Sequence, residues 1–110
     1  MSRAADIVRD YGLRPDDLVV HTGGDGSGLL ADLRGLGCRV LVLDPDGGTG
    51  GRIDTLRTTL TPAAARLIRD RYGPVALLLA AADVPLAVAS ACLAPGGAVV
   101  TAAAEQRRAA

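Results

Sequence analysis

A chain of 110 residues supports one hydrophobic core rather than two, and a core that buries about 65% of the extended chain's surface is adequate but not generous. Hydrophobic residues make up 49% of the sequence, yet there is no Phe or Trp and the only aromatic rings are Tyr11 and Tyr72, so the core must be assembled from Leu, Val, Ile and Ala. Twelve basic and twelve acidic residues cancel; no basic stripe is interleaved with rings on which bases would stack, which argues against nucleic acid, and the apolar run over 75–82 is too short to cross a bilayer.

Residues 4–11 read as a short helix, with Ile7, Val8 and Tyr11 on one face at spacings of three and four, and Ser2 available as its cap. Arg3, Asp6 and Asp10 stand where a signal peptide needs an uninterrupted apolar segment, so a cytoplasmic location is expected. Gly12 and Pro15 stop the helix. Residues 18–21 form a β-branched run without alternation, as a strand covered on both faces shows. After the glycine turn Gly23-Gly24-Asp25-Gly26-Ser27-Gly28, the residues Leu29, Leu30, Leu33 and Leu36 recur at helical spacing. They predict a helix packed on the sheet and ended by Gly37. Residues 39–43 give a second buried strand, and the strand–helix–strand sequence predicts a right-handed parallel crossover.

The segment 44–51 carries Pro45 and four glycines, which forbid a regular helix and abbreviate the next crossover. Residues 53–57 give a weak third strand at an edge. Thr61 and Pro62 open a helix as cap and first helical residue; Leu67, Ile68 and Tyr72 are expected on its buried face, and Arg66, Arg69, Asp70 and Arg71 in solvent. A central strand follows over 75–80, then a short alanine-rich helix over 85–93, a turn at Pro95-Gly96-Gly97 and a last strand from Ala98 to Thr101. Cys38 and Cys92 have no metal-ligand spacing and lie in or beside apolar segments, which predicts two buried thiols. The count is about five mainly parallel strands alternating with helices in one domain over 1–110, a three-layer αβα Rossmann-like sandwich.

Position gives the glycine turn its chemistry. A helix start exposes unpaired backbone N–H groups, and glycines let a ligand approach the main chain. The turn lacks the usual dinucleotide spacing and the lysine of a P-loop, so triphosphate hydrolysis is not expected. Asp44, at the carboxyl end of the second strand, stands where an acid accepts hydrogen bonds from a ribose. Two readings stay open: a nucleoside-type ligand, or a scaffold turn beside a surface aspartate. Asp25 is either a ligand contact or a helix cap. Asp83 lies on the same rim past the fourth strand and can equally cap the helix after Pro85. His21, the single histidine, ends the first strand there, as a ligand contact or a backbone-bonded strand end.

These residues resemble the core of class I S-adenosylmethionine-dependent methyltransferases. The matching stretches are Leu13-Arg14-Pro15-Asp16-Asp17, the glycine turn, Val42-Leu43-Asp44-Pro45 and Leu93-Ala94-Pro95-Gly96-Gly97. Within the class the chain is most similar to sugar C-methyltransferases of natural-product pathways, through Thr61-Pro62 and the run Ile68-Arg69-Asp70-Arg71-Tyr72-Gly73-Pro74. The resemblance implies S-adenosylmethionine or S-adenosylhomocysteine as cofactor, with Gly23, Gly24, Asp25 and Gly26 in its loop and Asp44 at its ribose. His21 falls where the family carries an acid near the cofactor's methionine part, and a neutral imidazole is no fixed partner for an ammonium group. The paired asparagines of the sugar enzymes fall on Ala81 and Ala82, and no histidine follows. Alanine cannot abstract a proton, so autonomous methyl transfer is not expected.

The family's final antiparallel strands have no counterpart after Thr101, which leaves Ala98 to Thr101 as an apolar edge for a homodimer or hetero-complex. Three functions follow: an auxiliary methyltransferase-like partner of a biosynthetic enzyme that keeps a cofactor pocket, a minimal methyltransferase completed by a partner chain, or a non-binding α/β scaffold.

Overall fold

The computed structural model describes residues 3–22, 27–45, 54–80 and 86–101. In chain order the elements are α1 (Arg3–Tyr11), β1 (Leu18–Thr22), α2 (Ser27–Gly35), β2 (Arg39–Leu43), β3 (Asp54–Leu56), α3 (Pro62–Arg71), β4 (Val75–Ala80), α4 (Leu86–Cys92) and β5 (Leu93–Thr101). The five strands form one sheet in the order β3-β2-β1-β4-β5, and every neighbouring pair runs parallel. Successive side chains of a strand point to opposite faces, and the central strands are apolar on both. Val19, Val42, Leu77 and Leu79 pack with Ala4 and Ile7 of α1 and Leu30 and Leu33 of α2. Val20, Leu41, Leu43 and Leu78 pack with Ala64, Ala65 and Ile68 of α3 and Ala89 and Cys92 of α4. The result is the three-layer αβα arrangement expected of unalternating strands, with no antiparallel hairpin among the described residues.

Local chemistry fixes the helix ends. α1 closes with Leu13 N–H donating to Val8 O at 3.0 Å, and α2 closes alike with Cys38 N–H donating to Leu33 O at 3.1 Å, the outer bond of a Schellman turn. At α3, Thr61 Oγ1 accepts from Ala64 N–H at 3.1 Å while Pro62 occupies the first helical turn. The cap expected of Ser2 falls outside the described residues.

Two helix faces differ from expectation. Leu36 is 49% exposed: its N–H still donates to Asp32 O at 3.1 Å, and at about 100° per residue it stands about 90° from the centre of the face carrying Leu30 and Leu33. Leu67 is 41% exposed while Ala64, Ala65 and Ile68 are buried. At 3.6 residues per turn, consecutive positions are about 100° apart, so a face centred between Ala64 and Ile68 leaves Leu67 on the flank. Arg66, Arg69, Asp70 and Arg71 are exposed as expected.

The largest difference lies in β5. Pro95-Gly96-Gly97 is expected to be a turn before the strand, but β5 already pairs with β4 at Leu93, opposite Val75, and resumes at Ala98, opposite Leu77. Two steps along β4 match five along β5, so the intervening residues form a wide bulge inside a continuous strand. Gly96 holds φ +79° there, and a Cβ built on Gly97 would lie 2.8 Å from Val75 O and 2.9 Å from Ala94 O. The glycines let the strand loop out and return to register against β4.

Candidate functional site

The strand order reverses between β1 and β4, since β1, β2 and β3 progress to one side and β4 and β5 lie on the other. Open α/β sheets bind ligands outside the carboxyl ends of their strands at such a reversal. The described residues at that rim are His21 and Thr22 from β1, Asp44 and Pro45 after β2, and Ala80 from β4.

His21 sits in the middle of the reversal, opposite Val42 of β2 and Leu79 of β4. The pleat puts it on the face of Val19, towards the α1–α2 layer, where it is half-buried and its Nδ1 fully so. Asp44 follows Leu43, which pairs with Thr22. His21 and Asp44 therefore stand on adjacent strands at one end of the sheet. Asp44 is only 8% exposed, and its backbone N–H donates to Leu56 O at 2.9 Å, which prolongs the β2–β3 ladder by one bond. The third strand, weak in the sequence, thus fixes the backbone from which this carboxylate projects.

The structure brings His21 and Asp44 to the same rim. Gly23, Gly24, Asp25, Gly26 and Asp83 lie outside the described residues, as do Ala81 and Ala82. Thr22 is a rim residue that sequence reasoning passed over by ending the first strand at His21. It is 8% exposed, and its β-branched side chain at the end of the run Leu-Val-Val-His-Thr was the available signal.

Cys38 and Cys92 are buried free thiols, as expected. Burial raises the pKa of both, with the nearby Asp17 carboxylate adding to the rise at Cys38; at Cys92 the backbone hydrogen bond and Arg69 oppose it. Neutral, enclosed thiols are poor nucleophiles. Among the described residues no His, Cys, Asp or Glu cluster has the makings of a metal site, and no helix is long and apolar enough to cross a membrane.

A parallel sheet with helices on both faces and a reversal at β1/β4 places the chain among Rossmann-like α/β domains. No protein-family model matches the sequence, and no curated protein resembles it closely enough to count as a relative.

Proposed function

We propose that this chain is a nucleoside-binding domain of the methyltransferase type, which takes S-adenosylmethionine or S-adenosylhomocysteine at the β1/β4 reversal and serves as an auxiliary partner rather than as a self-sufficient enzyme. The observation that carries the reading is Asp44: a carboxylate kept largely from water at the carboxyl end of β2, on the rim where a Rossmann-like sheet takes a ribose. The glycine-rich stretch that follows Thr22 in the sequence supports it, because Gly23, Gly24 and Gly26 stand between β1 and α2 in the chain, and glycines suit close approach of a ligand to backbone N–H groups. Ala81 and Ala82, which follow β4 in the sequence, carry no acid–base group. That favours binding without proton abstraction from a sugar.

Calorimetric titration with S-adenosylhomocysteine tests the reading. Saturable binding is expected, and Asp44→Ala should weaken it by about 1.5–3 kcal/mol, the worth of a charge-assisted hydrogen bond. An unchanged dissociation constant in the variant would remove the ribose from Asp44, and absence of binding would leave the chain a scaffold.

A further inference from the structure

β5 closes one end of the sheet, and among the described residues it pairs with β4 alone. A strand in that place presents an outer row of backbone N–H and C=O groups, a ladder that another strand completes. Beyond the bulge, Ala98, Val99 and Val100 keep an unbroken register against Leu77, Leu78 and Leu79, so this stretch offers regular strand geometry. It is apolar on both faces: Ala98 and Val100 pack with the α1–α2 layer, and Val99 with the α3–α4 layer. None of the nine residues of Leu93–Thr101 is charged.

These properties select the occupant. An uncharged edge has no complement for an acidic or a basic segment, but it is complementary to itself. The twelve basic and twelve acidic residues of the chain cancel, so two copies approach without net repulsion. The other edge that a second copy carries, β3, is three residues long and begins with the exposed Asp54. Pairing β5 with that edge is also head-to-tail and leads to open strings of copies, whereas a two-fold contact of β5 with β5 closes at two. We propose that the stretch 98–101 is a homodimer interface, in which β5 of one copy pairs antiparallel with β5 of a second and two five-stranded sheets become one of ten strands. A two-fold axis normal to the sheet keeps each helical layer on its own side, so the apolar faces of Val99 and Val100 run on into those of the partner. The inference stands apart from the nucleoside reading, which concerns the β1/β4 reversal.

The test is sedimentation equilibrium of the full chain joined to amide-resolved hydrogen exchange over the same concentrations. The mass should climb from the 11.1 kDa of one chain to twice that value and stop there. Amides within 98–101 should gain protection in step with the mass, and those of 54–56 at the other edge should not. Ala98→Lys sets like charges across the paired strands and should raise the dissociation constant of the dimer roughly fivefold or more. Ala98→Glu should do the same, and mixing the two variants should restore the dimer, which a misfolded variant does not do. One-chain mass at every concentration, a mass that climbs past two copies, association without added protection in 98–101, or a mixture of variants no tighter than either alone would each overturn the assignment.

Discussion

Thr61 acts on α3 through a single atom. Its Oγ1 satisfies the N–H of Ala64 at 3.1 Å, one of the donors a helix start leaves without an internal partner. Thr61→Ala should therefore lower stability by about 1 kcal/mol, measured by urea denaturation with an unchanged slope. The two cysteines act through protons. Burial raises both thiol pKa values in the folded chain, while in the unfolded chain a thiol titrates near its ordinary value of about 8.5. Below that pH both states keep their protons and this contribution to stability is complete. Above it the unfolded chain loses protons that the folded chain retains, so stability falls as pH rises through the folded pKa values. Denaturant midpoints on either side of the ordinary thiol pKa should show this alkaline loss, and Cys92→Ala should flatten it. An alkaline limb unchanged in that variant would assign the loss to other groups. At this scale the sequence was readable wherever chemistry is local, as at Thr61-Pro62. It was misread at Leu67, whose exposure depends on which side of α3 the sheet lies.

The same divide separates the elements. β2 and β4 coincide with the apolar runs that predict them, because a strand buried on both faces announces itself by composition. β5 does not. Its Pro-Gly-Gly segment carries the residues of a turn, and only pairing with β4 makes it a bulge. That difference has a measurable consequence at Gly97. Adding a Cβ there brings it against two backbone oxygens, which cannot rotate away as a side-chain tip can, and Gly97→Ala should cost about 1–3 kcal/mol, the range of overpacked sites. Gly35, in the last turn of α2, has nothing within 4 Å of the same added atom and no positive φ. Gly35→Ala should raise stability by about 0.5–1 kcal/mol. A Gly97→Ala protein as stable as the parent would mean that β5 does not hold this bulge in solution. Between elements, Arg39 plays the part of a brace, since one side chain at the start of β2 holds the carbonyls of Asp16, ahead of β1, and Tyr72, ahead of β4. Its charge alone reads as solvated surface.

At the scale of the whole sheet, Asp44 was legible as a strand-end acid, but the reversal beside His21 required the strand order, which no local pattern encodes. The order also sets the two edges, and these differ in kind. β3 is three residues long and begins with the exposed Asp54, so it is short and charged, two of the devices by which proteins keep edges from pairing. β5 is nine residues long and carries no charged side chain. Pro95 and the bulge guard its first half; Ala98, Val99 and Val100 beyond them have no such protection, and among the described residues nothing pairs with their outer side. An edge of this kind is where the auxiliary role proposed above would seat a second copy or another chain. The expected outcome is concentration-dependent association: light scattering at micromolar protein should give a mass above the 11.1 kDa of one chain. The thermal midpoint should rise with protein concentration, because a partner that binds only the folded state adds to its stability. A core without Phe or Trp makes that added stability a larger share of the total. One-chain mass with a concentration-independent midpoint would take self-association away from this edge. A mass that rises only in a mixture with a biosynthetic enzyme would identify the partner as a different chain.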